Sequence, residues 1–218
     1  MLVFEDVTRR FGRATALEGV TLAFDAKTTT ALLGPNGSGK TTLLRLAAAL
    51  DRPSRGAVRL DGRDLREDAA SRARIGYAGH DAALYDALTA LENVAFRAKL
   101  LGRNRAGAEA ASALDLAGFP ARGRDLAAGA LSRGQRQRVA LARAFVGEPD
   151  IVLLDEPHAG LDEDGAAALD RALAGLAARG ATVLVATHDA PRLGALVDRA
   201  VALERGRVAR DEPRRNAP

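Results

Sequence analysis

The sequence contains no cysteine. That excludes a disulfide framework, thiolate metal sites and thiol nucleophiles, and it fits a reducing compartment. Lysine is nearly as scarce, with Lys27, Lys40 and Lys99 the three in the chain, although Lys and Arg together number 32 against 28 Asp and Glu. A formal charge of +4 spread over arginines is too mild a bias for a nucleic-acid footprint, and no basic stretch is interleaved with aromatics. Nucleic acid is therefore not expected as a partner. No run approaches the roughly 18 consecutive apolar residues of a bilayer-spanning helix, and the start MLVFEDVTRR lacks the apolar core of a signal peptide. These absences predict a cytoplasmic chain. Its 218 residues, 47% of them hydrophobic and 28% charged, suffice to bury a substantial core. The arginines at Arg214 and Arg215 read as a loose tail.

Alternation in LVFEDV and the apolar runs in GVTLAF and TTTALLG predict three opening strands, the third ending in the glycine-rich segment Gly34 to Thr41. From Lys40 the leucines of TTLLRLAAAL fall at helical spacing, and Pro53 to Gly56 then breaks the chain. Short strands follow around AVRLDG and RIGYAG. The stretch from about Leu88 to Arg124, rich in Ala and Leu, reads as helical. Strand IVLLDE, helix AAALDRALAGLAA, strand TVLVATHD and a last strand near RAVALERG complete an alternation that demands a mostly parallel sheet flanked by helices. There is no internal repeat and no low-complexity linker.

Gly34, Pro35, Asn36, Gly37, Ser38, Gly39, Lys40 and Thr41 fit G-x-x-x-x-G-K-[ST]. Small residues there let backbone N–H groups turn inward around phosphates at a helix N-terminus, and Thr42 continues that helix. Lys40 is placed to neutralise β and γ phosphates, and the Thr41 hydroxyl suits Mg²⁺, a hard cation that prefers oxygen. Ile151 to Glu156 reads as a buried strand delivering two carboxylates at its C-terminal end, where α/β sheets bind ligands. Because side chains alternate along a strand, Asp155 is assigned to Mg²⁺ and Glu156 to the attacking water. Alone, an apolar strand ending in Asp-Glu is common; the phosphate loop gives this one its meaning. Ser132 precedes the helical run beginning in Arg133-Gly134-Gln135, so it reads as an N-cap whose helix end offers a second anion site.

The order of glycine loop, LSRGQ, VLLDEP and ATHD resembles the ABC transporter ATPase family over essentially the whole chain. The resemblance implies a P-loop NTPase fold: an α/β domain over 1–218 with an N-terminal antiparallel β subdomain and a helical insertion at about 80–138. It implies ATP and Mg²⁺ as ligands and two ATPase domains facing head to tail. Each ATP then lies between one glycine loop and the stretch matching Ser132, Gly134 and Gln135 in a second ATPase subunit, either another copy of this chain or a related one. By the same resemblance Phe11 stacks on adenine, Asp162 lies in a subunit-contact loop, and His188 contacts the γ phosphate. Asp162 can equally be a helix N-cap. Two positions depart from the family pattern. Arg133 stands where a second glycine is usual. His80, in Tyr77-Ala78-Gly79-His80, replaces the glutamine that joins core to insertion, which puts direct metal contact there in doubt, since imidazole is a poorer Mg²⁺ ligand than an amide oxygen. That Gly-His pair and LTALENV look like the ATPase of the haem exporter used in cytochrome c maturation.

The function expected from the resemblance is an ATP-hydrolysing subunit, peripheral on the inner face of the cell membrane, that drives a separate transmembrane permease. A soluble ABC ATPase acting on ribosomes or nucleic acid is the rival, and the ATPase of another small-cargo exporter is a variant of the first. A small-molecule kinase leaves LSRGQ unexplained.

Overall fold

The computed structural model describes residues 1–188 and 190–213; Asp189 of the ATHD segment and the tail arginines Arg214 and Arg215 lie outside the described residues. Strand β1 (Leu2–Phe11) pairs antiparallel with β2 (Ala14–Phe24) and with β4 (Arg55–Leu60), and β5 (Arg63–Asp64) closes a four-stranded sheet in the order β2-β1-β4-β5. Phe4 and Phe24 meet edge to face at 6.1 Å on its buried side. β1 runs four residues beyond the predicted LVFEDV. Asp6 takes a left-handed φ of 47° there, and the register shifts between Phe4 and Val7 and again toward Arg10. These bulges break the alternation on which the prediction rested.

The second sheet has six strands in the order β10-β9-β3-β8-β7-β6. Its parallel core comprises β3 (Thr29–Leu33), β6 (Ile75–Ala78), β7 (Ile151–Asp155), β8 (Thr182–Ala186) and β9 (Arg199–Glu204). The chain is thus an α/β protein with the expected mostly parallel sheet and antiparallel N-terminal sheet. β10 (Arg207–Pro213), antiparallel on the edge beside β9, was not anticipated. Its sequence RVARDEP is polar and almost wholly exposed, so no apolar period announces it.

Both faces of the parallel sheet are covered, which is why its strands read as continuous apolar runs. Ile151 and Leu153 of β7 face the same core as α1 (Lys40–Ala47) and the antiparallel sheet. Val152 and Leu154 face the other core, with α3 (Ala90–Leu100), α4 (Ala106–Leu116), α5 (Arg133–Phe145) and α6 (Glu163–Ala178). A short α2 (Ala69–Ala73), capped by Asp68, precedes β6, and α7 (Ala190–Leu193) follows β8. The predicted helical stretch from Leu88 is two helices, α3 and α4. Thr89 and Glu92 form a capping box that fixes the start of α3.

Candidate functional site

β3 ends at Leu33, and the glycine loop carries the chain directly into α1. Gly39 is the N-cap, at φ 109°, and a Cβ there would lie 2.7 Å from Leu17 Cδ2 and 2.8 Å from the Ala16 carbonyl oxygen. Only glycine fits both that conformation and that approach. It brings no side-chain cap, so the first-turn N–H groups of α1 are left for a ligand or water. Among the described residues, Ser38 Oγ is buried without a hydrogen-bond partner. Lys40, 7% exposed, donates from Nζ to the carbonyls of Gly34 at 2.6 Å and Pro35 at 3.1 Å. An ammonium group, a helix start and an orphaned hydroxyl at one loop fit the phosphates of a nucleotide.

Asp155 closes β7 and is 2% exposed. Its Oδ2 accepts from Thr41 Oγ1 at 2.6 Å. Burial pushes this carboxyl above the usual carboxylate range and the charge of Glu156 adds to that, while the Thr41 hydroxyl, His80 and Lys40 pull the other way. A buried carboxylate that accepts a hydrogen bond from a hydroxyl presents a pair of hard oxygen ligands, which fits Mg²⁺. Among the described residues no cluster of three or more His, Cys, Asp or Glu forms a metal cage.

Glu156 departs from the strand alternation expected of it. Its φ of 50° lies in the left-handed region, strained for a residue with a Cβ, and both carboxylates line the same cleft. Separation of the two roles comes from their partners instead. Asp155 is held by Thr41, whereas Glu156 Oε2 lies 2.9 Å from His188 Nδ1. The His188 side chain is 79% exposed at the mouth.

The cleft, about 650 Å³, is lined by Phe11, Asn36 through Thr42, His80, Asp155, Glu156 and His188. Phe11 is half exposed, with the Arg9 guanidinium 4.3 Å from its ring centre. Gly34 and Pro35 contribute the carbonyls that hold Lys40 rather than cleft wall. Four further candidates also lie outside it: Ser132, Gly134, Gln135 and Asp162. Ser132 caps α5 in a reciprocal box with Gln135, whose side-chain oxygen accepts from the Ser132 N–H at 2.9 Å. A Cβ on Gly134 would sit 2.7 Å from the Gly160 carbonyl oxygen. Asp162 is the N-cap of α6, accepting from the Gly165 N–H at 2.8 Å and pairing with Arg138. The Gly165 N–H, then the Arg138 guanidinium, hold its carboxyl below the usual range.

Three features escaped the sequence reading. Arg143 of α5 donates 2.7 Å bonds to the carbonyls of Ala82 and Ala83, in the loop that follows His80. Burial and the nearby Asp155 charge push the Tyr77 phenol up to about 12. His158, two residues past Glu156, bonds Asp170 of α6. Of these, His158 carried a visible signal, as an ionisable residue inside LLDEPHAGLD.

The profile of the ABC transporter family matches residues 17–159. An ATP-binding protein for Fe(3+) ion import from Rhodococcus jostii is 40% identical over 95% of this chain and 61% of its own length. A phosphate import ATP-binding protein from Natronomonas pharaonis is 39% identical over 97% of this chain and 80% of its own length. The dimeric structure of MJ0796, a bacterial ABC transporter cassette, superposes with a TM-score of 0.90 at 31% identity, covering all of both chains. The chain spans about six tenths of the length of the iron-import relatives it matches. It belongs to the ABC transporter ATP-binding family.

Proposed function

We propose that this member of the ABC transporter family is the ATP-hydrolysing, energy-coupling subunit of a membrane transporter. The observation that carries the reading is the division of the candidate residues. One cleft gathers Lys40, Thr41, Asp155, Glu156 and His188, while the Ser132 cap, with Gly134 and Gln135, lies outside it. A surface split in this way is completed by a second copy placed head to tail, and the matched cassette MJ0796 is described as dimeric.

In this reading the α1 N-terminus and Lys40 bind the phosphates, and Phe11 receives the adenine. Thr41 and Asp155 would hold Mg²⁺, which when bound would neutralise phosphate charge. Glu156 accepts a hydrogen bond from the attacking water and takes its proton as the water oxygen bonds to the γ phosphorus and the bond to the β–γ bridging oxygen breaks. His188 steadies the Glu156 carboxylate and stands at the mouth, where a γ phosphate would reach it. Closure of two copies over ATP and reopening after hydrolysis would drive the partner, a transmembrane permease, from the inner face of the membrane. No described helix of this chain is long and apolar enough to cross a membrane itself.

The cargo has two readings. Gly79-His80 and Leu88 to Asn93 favour haem export, whereas the relatives above are import ATP-binding proteins for Fe(3+) and phosphate. Both follow from which permease binds. Pull-down from detergent-solubilised membranes tests this: a polytopic membrane protein should be recovered, with haem-handling subunits deciding for export and an ion importer's permease for import. Free phosphate should be the product. A phosphorylated small molecule, or salt-sensitive recovery of RNA or DNA in place of a permease, would overturn the reading.

A further inference from the structure

Glu156 and His188 stand at the ends of neighbouring strands β7 and β8, and their 2.9 Å contact depends on where the loops after those strands sit. The turn after β7 and the helix α7 that follows β8 both reach one carboxylate. Two residues beyond Glu156, His158 Nε2 lies 2.7 Å from Asp170 Oδ1, and the imidazole is largely buried. Four residues beyond His188, Arg192 Nη2 donates to Asp170 Oδ2 at 3.4 Å. The His158 loop is held from its other side as well, since Gln137 of α5 donates to the Pro157 carbonyl at 3.4 Å.

We infer that Asp170 is a positioning residue for hydrolysis: one carboxylate on α6 ties the turn after Glu156 to α7, the helix that follows His188, and so sets the mutual geometry of Glu156 and His188. The inference rests on the hydrolytic role proposed for Glu156. As ion pairs, half-exposed contacts such as these contribute little to stability. Their effect is geometric, and a displacement on the order of 1 Å at a reacting group costs up to about 100-fold in rate. Among the described residues Asp170 bonds His158 and Arg192 and is not part of the cleft lining, so its loss should leave nucleotide binding in place.

The test is steady-state hydrolysis by the purified full chain carrying Asp170→Ala, Asp170→Asn, His158→Ala and the His158→Ala/Asp170→Ala pair. Asp170→Ala should lower kcat about ten-fold with KM for MgATP within about two-fold of wild type. Asp170→Asn, which keeps an acceptor oxygen, should recover part of the loss. The double variant should be no slower than the slower single one, because both remove the same tie. Unchanged kcat, a rise in KM that accounts for the loss, or additive losses would each overturn the inference. If Asp170→Ala unfolds before it can be assayed, the isosteric Asp170→Asn is judged by the same KM-against-kcat split. Glu156→Gln runs alongside as control. Should it hydrolyse normally, the role of Glu156 itself falls; should it be dead while the Asp170 variants match wild type, only the tie falls.

Discussion

Thr41 on α1 and Asp155 at the end of β7 share a hydrogen bond of 2.6 Å across the floor of the cleft. Helix start and strand end thereby present two oxygens at one point, and neither alone makes a site for a hard cation. Thr41→Ala should raise the Mg²⁺ concentration for half-maximal hydrolysis by about ten-fold or more, since even outer-shell partners of metal sites cost that much. A magnesium titration at fixed ATP reads it, and an unshifted curve would remove Thr41 from the metal.

Glu156→Gln keeps the shape of the side chain but removes its basicity. ATP affinity should be retained while phosphate release falls by about 100-fold or more. With ATP present the variant should elute as a dimer on size exclusion. Normal turnover would dismiss Glu156 as the water-orienting group.

For Lys40→Ala the loss is expected in binding itself. The ammonium that now bonds the Gly34 and Pro35 carbonyls is the charge nearest the loop's phosphate cradle. Removing it should weaken nucleotide affinity by about 10- to 100-fold, the range for a charge-assisted hydrogen bond. Titration with a fluorescent ATP analogue measures this, and unaltered affinity would contradict the reading of the loop.

Gly134→Ala places a methyl group 2.7 Å from the Gly160 carbonyl oxygen. The start of α5 must shift, at about 1–3 kcal/mol for overpacking of this kind. ATP binding to the monomer should be unaffected, while dimer closure and hydrolysis decline. Equal loss of monomer affinity would place Gly134 at the chain's own nucleotide instead.

His80→Gln should hydrolyse ATP as fast as the parent chain or faster, because an amide oxygen suits Mg²⁺ better than imidazole does. His80 lines the cleft, and no role that only imidazole can fill is expected of it there. Complete loss of activity would show that it has one.

Much of the fold was legible because the parallel strands are buried on two faces. Ile151 to Leu154 and Thr182 to Ala186 announce themselves by composition alone, and the glycine loop by spacing. β10 was not legible, since an exposed edge strand needs backbone pairing rather than apolar side chains. At the site, the identities of Asp155 and Glu156 could be read, but their common orientation could not. It follows from the left-handed φ of Glu156, a choice made by tertiary packing. Asp170 was invisible for a similar reason: on a helix surface an aspartate is ordinary until two distant segments are found to converge on it.

The glycine loop is braced by residues that come much later in the chain. Gly206, in the turn between β9 and β10, donates its N–H to the Ser38 carbonyl at 3.0 Å and accepts from the Glu18 N–H at 2.9 Å. At Gly34 a Cβ would lie 2.2 Å from the Leu203 carbonyl oxygen. During synthesis the loop's own sequence therefore emerges long before the parts that brace it, and contacts of such high sequence separation form late. A nascent chain that has not yet made Gly206 holds the phosphate-binding residues without their finished mould, so ATP capture is expected only once β3 has its neighbour β9.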